Sequence, residues 1–350
     1  MAHLSDPIRL LIRLDADHNT GLGHAARTAE LLRYINHPLD IHICGTGAQL
    51  PLFFGEDITH HPLPEQISEV DKSDHLLRMA GEISAHILLI DQPDQTRETW
   101  QKYHDSPLSV IAIDDYGGDV QADLIFNGTI LDDYHHYPLM ASKDHIFCGG
   151  DYALFNPVFG EVCHNPAQDS LLIVIGGGER ARQWALTLTG EHSPFQNKTI
   201  GQITMIVGGA FPDIDRLRTA CTKLDISVQQ NIRQSDLADL LARHGAALIT
   251  GGMIVYETLA SGCPAIIFPQ EENLIREADW FAHNDCLINL GYEGGMDMKL
   301  VGQQITLLYK DYQKAVKMAA KGRQLMDGKG MIRAAGEIDN FLSQWNRGKT

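Results

Sequence analysis

The sequence predicts an α/β protein built as two doubly wound, parallel-sheet, Rossmann-like domains facing across a cleft. Three observations carry that expectation. Short continuous apolar runs recur along all 350 residues, with gaps between them long enough for helices. Runs of this kind alternating with helices mean a parallel sheet covered on both faces. Several runs end in acidic or small residues, and ligands of such sheets sit beyond the carboxyl ends of the strands. The rhythm also stops and restarts near the middle, and the length suits two cores.

The elements follow in order. A first run at 8–14 leads through a glycine-containing joint into an amphipathic helix that reaches about residue 35. Further runs lie at 41–44, 86–90, 110–113, 124–126 and 146–148, and several end in Asp91, Asp114-Asp115, Asn127-Gly128 or Gly149-Gly150. Residues 1–155 therefore read as one domain. Residues 156–169 contain Pro157 and Pro166, show no helical period and read as a linker. The rhythm restarts at 171–175, which runs into Gly176-Gly177-Gly178, and continues at 203–207, 226–228, 247–250, 265–268 and 287–289. Helical spacing appears at 237–243 and 254–261, and again at 310–345 with a break around 327–330. Residues 170–350, tail included, read as the second domain.

The joint after the first strand is the most informative stretch. It reads Arg13-Leu14-Asp15, then Gly21-Leu22-Gly23-His24-Ala25-Ala26-Arg27. Gly21 and Gly23 let backbone approach a ligand closely, and N–H groups at a helix start attract anions. His24 falls on the first helical turn, where a neutral imidazole can take a proton. A histidine there often only caps or faces solvent. The combination nevertheless suggests chemistry on a phosphorylated small molecule. A nicotinamide fingerprint is the rival, because Gly21 to Ala26 fits G-x-G-x-x-G/A. It fails on placement: six residues separate it from the strand, and the next strand ends in Gly45-Thr46 rather than an acid.

A second glycine cluster opens the helix after the run at 247–250. Gly251-Gly252 frees the turn, and Glu257 follows on the first or second helical turn. A carboxylate so placed can accept hydrogen bonds from two vicinal hydroxyls, or merely complement the helix dipole. Gly177 and Gly178 offer a second helix start for phosphate. Asn273, beyond Pro269, adds an amide nearby.

Composition narrows the class. The net charge of −17 argues against a general nucleic-acid or anionic-membrane surface. The six cysteines are scattered without a C-x-x-C pair, favouring free thiols in a reducing cytoplasm over disulfides or a zinc site. No apolar run reaches the roughly 18 residues a membrane helix needs, and residues 1–6 carry no sign of a secretion signal.

Together these motifs resemble a known family. Gly-Gly-x4-Glu followed by Gly262-Cys263-Pro264 is similar to the nucleotide half of GT-B glycosyltransferases, where the glutamate holds the ribose of UDP. The stretch Arg13-x-Asp15-Ala16 with Gly21-x-Gly23-His24-x-x-Arg27 resembles the UDP-2,4-diacetamido-2,4,6-trideoxy-altropyranose hydrolases of pseudaminic acid biosynthesis. Ile113-Asp114-Asp115, the segment 122–127, and Tyr152-Ala153-Leu154-Phe155 with Phe159 extend the likeness across residues 8–290. The resemblance implies His24 as general base on water and Asp15 as a second catalytic residue. It also implies that Asp15 and Arg27 frame the site, with Arg13 among the substrate-binding residues, that Glu257 binds ribose, and that Asn273 sits by the nucleotide or sugar; Asp15 or Asp17, if within reach, would orient the His24 ring. It calls for no metal and no cofactor. Departures from the family pattern are Pro93 in place of an aromatic hydroxyl, Ile254-Val255 in place of hydroxyl residues, Asn156 and Val158, and Leu274. The alternatives are a GT-B transferase using the same base, and a nucleotide-sugar binding protein without catalysis.

Overall fold

The computed structural model describes residues 7–16, 22–47, 49–55, 58–63, 67–93, 95–140, 142–196, 200–269, 274–291 and 297–347. The chain divides into two compact units, residues 1–154 with 329–350, and residues 155–328.

The first unit contains β1 (Ile8–Arg13), α1 (Gly23–Leu32), β2 (Leu39–Gly45), α2 (Leu50–Phe54), β3 (Thr59–Pro62), α3 (Glu69–Glu82), β4 (Ile87–Ile90), α4 (Arg97–His104), β5 (Ser109–Ile113), β6 (Leu124–Asn127) and β7 (Ile146–Cys148). Its seven strands lie in the order β3-β2-β1-β4-β5-β6-β7. Every pairing is parallel. The chain winds outward from β1 in one direction, then returns to β4 and winds in the other. The carboxyl ends of β1 and β4 therefore form the switch point, where a doubly wound sheet binds its ligand.

The second unit holds α5 (Val158–Glu161), β8 (Ala167–Ile175), α6 (Gly178–Leu188), β9 (Gln202–Val207), α7 (Ile214–Lys223), β10 (Ile226–Gln230), α8 (Gln234–Arg243), β11 (His244–Ile249), α9 (Met253–Ser261), β12 (Ala265–Ile267), α10 (Ile275–His283), β13 (Ile288–Asn289), α11 (Met298–Lys310) and α12 (Tyr312–Leu325). Its strand order is β10-β9-β8-β11-β12-β13, again all parallel. Here the switch point lies between β8 and β11, the two strands that run into the glycine clusters.

Two boundaries differ from the sequence expectation. Residues 156–169 are not a free linker: α5 forms inside them, Phe159 is fully buried, and β8 begins at Ala167. The tail is helical with the expected break, but its last helix, α13 (Gly330–Arg347), belongs to the first unit. Met331, Ala334, Ala335, Ile338 and Leu342 enter the same core as Leu10, Ile12, Leu31 and Ile87. Periodicity reveals an apolar stripe but not which core will cover it. Ile338 is 2 % exposed, so Ile338→Ala should cost about 2–5 kcal/mol of stability. Urea unfolding of the intact chain checks this; a change below about 0.5 kcal/mol would contradict the packing.

Candidate active site

In the first unit the site grows from the switch point. Leu14, Asp15 and Ala16 continue β1 beyond its last paired residue. They are held against the end of β2, where the Ala16 N–H donates to the Thr46 carbonyl at 2.9 Å. A Cβ at Gly45 would lie 1.7 Å from the Leu14 carbonyl oxygen, so only glycine allows this approach. Arg13 and Asp15 are buried and form a bidentate pair at 2.6 and 2.8 Å. The Thr46 N–H also donates to Asp15 at 2.7 Å. Burial works against the Asp15 charge, yet the Arg13 hydrogen bonds hold its carboxyl below the ordinary range.

His24 is the second residue of α1, and its Nδ1 lies 2.7 Å from Asp91 Oδ1 at the end of β4. Asp91 is fully buried. It also accepts Arg27 Nη2 at 2.6 Å, Arg27 Nε at 3.0 Å and the Thr28 hydroxyl at 2.6 Å. Burial opposes ionisation of Asp91, but the Arg27 charge, with hydrogen bonds from His24 and Arg27, pulls its carboxyl well below the usual range. Arg27 then reaches Asp115, beyond β5, at 2.8 and 3.0 Å. A lone pair on Nδ1 facing an ionised carboxylate at 2.7 Å would be repelled, so the Nδ1 proton points at Asp91. Arg27 Nη2, 3.1 Å from Nδ1, is engaged with the same carboxylate. That tautomer leaves the lone pair on Nε2.

Asp15, expected as a second catalytic residue, makes no hydrogen bond to His24 among the described residues, and Asp17 lies outside them. Among the described residues the Asp15 carboxylate is taken by Arg13 and Thr46, and it braces the strand end. Asp91 stands next to His24 instead. Gly21 lies outside the described residues. Gly23, the first residue of α1, has open space where a Cβ would stand.

In the second unit, Gly251 and Gly252 have φ of 106° and 81°, conformations that favour glycine, and α9 starts without a side-chain cap. Gly177 caps α6 in the same way, and Gly178 has φ of 87°. Between these turns lies a cavity of about 470 Å³. Gly176, Gly208, Thr250, Gly251, Glu257 and Leu274 are among its lining residues. Gly177, Gly178 and Gly252, expected at the site, do not line it; Asn273 lies outside the described residues. Glu257 is 8 % exposed, and among the described residues nothing donates a hydrogen bond to it. Burial alone pushes its carboxyl up to about 7. A wider concavity of about 1240 Å³, open to solvent beside Pro194 and Leu307, shares no residue with this cavity. Its acids, Glu191 and Asp297, are exposed rather than buried. Among the described residues no three histidine, cysteine or acidic side chains converge as metal ligands do.

No family model matches the chain. The spore coat polysaccharide biosynthesis protein SpsG of Bacillus subtilis (strain 168) is 21% identical over 342 residues, covering 94% of this chain and 97% of that protein. Acinetobacter baumannii MurG superimposes with a TM-score of 0.66 at 12% identity, covering 95% of this chain and all of that one. The fold is GT-B-like. The S. aureus MnaA–UDP co-structure agrees with a TM-score of 0.62 at 12% identity, covering 96% of this chain and 97% of that one. Likeness at such identity concerns architecture, so the chemistry has to come from the residues above.

Proposed function

We propose that the protein is a nucleotide-sugar hydrolase, releasing UDP and a free, modified amino or deoxy sugar. The observation that carries this reading is the Asp91–His24 pair, which fixes the Nδ1 proton and leaves Nε2 as a proton acceptor. Water gives its proton to Nε2 as its oxygen attacks the anomeric carbon. The bond from that carbon to the diphosphate oxygen breaks, and the sugar inverts. The Asp91 carboxylate stabilises the imidazolium that forms. UDP leaves with the bonding pair; N–H groups at a glycine-led helix start are suited to meet its charge.

The nucleotide belongs with the second unit. Glu257 is an acid without a partner among the described residues, lining a cavity beside two glycine turns. Two ribose hydroxyls would supply the hydrogen bonds it lacks. The choice of UDP is supported by the solved neighbour that holds UDP, and the sugar-building context by the name of SpsG. Incubation with UDP-sugars and no acceptor tests the reading: UDP and free sugar should accumulate together. Turnover that requires an added acceptor hydroxyl would make the protein a transferase using the same base.

A further inference from the structure

Each of the two Asp91 carboxylate oxygens has its own short partner on α1. Oδ1 faces His24 Nδ1 at 2.7 Å, and Oδ2 accepts the Thr28 hydroxyl at 2.6 Å. His24 and Thr28 are four residues apart on that helix, so they stand one above the other on the same face. The helix backbone therefore sets the spacing between the two groups that bracket the carboxylate. Arg27 also reaches both oxygens, Nη2 to Oδ1 at 2.6 Å and Nε to Oδ2 at 3.0 Å. Its guanidinium is shared, however, and carries on to Asp115 at 2.8 and 3.0 Å. A long side chain drawn toward two carboxylates is a poor reference for the position of either. Threonine is a better one, since its β-branch leaves it few rotamers in a helix.

The Thr28 bond is not the one a helical threonine makes by default. That hydroxyl commonly returns to the carbonyl one turn back. Thr187, Thr219, Thr222 and Thr306 of this chain do so, donating to the carbonyls of Gln183, Asp215, Arg218 and Gly302 at 2.8, 2.9, 2.8 and 2.7 Å. Thr28 is turned instead onto a buried charge and is itself fully buried. A hydroxyl on an ionised carboxylate makes a short, strong bond, and burial keeps solvent from competing for it.

We propose that Thr28 is a positioning residue for His24: its hydroxyl pins Asp91 Oδ2, so that Oδ1 stays on the Nδ1 proton and the Nε2 lone pair stays open. Its use in catalysis rests on the hydrolase reading above, whereas the tautomer it fixes is a property of the protein without ligand.

Long-range ¹H–¹⁵N spectra of ¹⁵N-histidine-labelled, ligand-free protein, recorded where imidazole is neutral and with His24 assigned through His24→Asn, test it. The wild type should show His24 as the Nδ1–H tautomer alone. Thr28→Val, which keeps the shape and removes the hydroxyl, should show a mixture with the Nε2–H form. Thr28→Ser restores the hydroxyl and should restore the wild-type signature. Thr28→Ala takes the place of the valine variant if that one does not fold. In acceptor-free incubation with UDP-N-acetylglucosamine, UDP release should be about tenfold or more slower without the hydroxyl and within about twofold of wild type in Thr28→Ser, as expected for one hydrogen bond to a charged group. A folded, hydroxyl-free variant that keeps the single tautomer would overturn the proposal, as would a serine variant that loses it. A wild type with the Nδ1–H tautomer that releases no UDP would count against the hydrolase reading and leave the Thr28 assignment to the spectra. A wild type with its proton on Nε2 would remove both.

Discussion

Replacing His24 with alanine is expected to lower turnover by about 10²–10⁴-fold while UDP affinity stays near the wild-type value. On the proposed reading His24 acts on water, and it does not line the cavity of the second unit proposed for the nucleotide. Asp91→Asn sharpens the test. An amide can donate to Nδ1, which would put the imidazole proton on Nε2 and remove the lone pair that water needs. Where an aspartate-to-asparagine change traps the wrong tautomer, the loss is on the order of 10⁴-fold. Melting temperatures should be followed alongside, because Asp91 also neutralises Arg27 and breaking a buried pair can cost about 3–5 kcal/mol. A folded Asp91→Asn protein with wild-type turnover would show that His24 is not the base, or that Asp91 does not orient it.

Glu257→Gln is expected to move stability and binding in opposite directions. Burial raises the folded-state carboxyl from the ordinary 4.5 to about 7. For a raised pKa the folded state holds its proton more tightly, so the stabilisation is fully present below about 4.5 and is lost as pH rises through 7. At pH 8 the wild type without nucleotide carries a buried charge that glutamine does not. The variant should then be more stable by about 2–3 kcal/mol, read as a melting point several degrees higher, with the difference gone at pH 4. Ribose hydroxyls donate to the charged form, so binding follows the reverse course. Uridine, which has no phosphate to titrate, should bind the wild type more tightly as pH rises through 7, and Glu257→Gln without that dependence. UDP affinity of the variant should fall by about 10–150-fold, the worth of hydrogen bonds to a charged group. A variant that binds UDP normally would take Glu257 out of the site.

The double winding was legible because buried parallel strands read as continuous apolar runs, and both glycine clusters fall at carboxyl ends that the topology makes switch points. β3 was not, since Thr59-His60-His61-Pro62 has no apolar run and pairs only on one side, with β2. His24, Arg27 and Glu257 were singled out locally, each within the first two turns of a helix that follows glycine. Asp91 was visible as a strand end but not as the partner of His24, from which 67 residues separate it. Strand order supplies that proximity: β4 pairs with β1, and this brings the end of β4 under the start of α1. Asp15 misled for the converse reason. It is close to His24 in sequence, but Arg13, two residues back on the same strand end, claims its carboxylate. The last helix shows the same limit, because its stripe of apolar residues looks alike whichever core it enters.

Hydrolysis in ¹⁸O-labelled water, without an acceptor and sampled early, tests the central claim most directly. Activation of water by His24 and departure of the diphosphate as a unit mean that carbon–oxygen cleavage should leave the UDP free of label. The label enters the sugar at its anomeric position, where ring opening later exchanges it, so the nucleotide is the decisive product. Unlabelled UDP beside free sugar is the predicted result. Label in the nucleotide's phosphate, or UMP with a sugar phosphate, would mean attack at phosphorus and would contradict the assignment of His24 to the anomeric carbon.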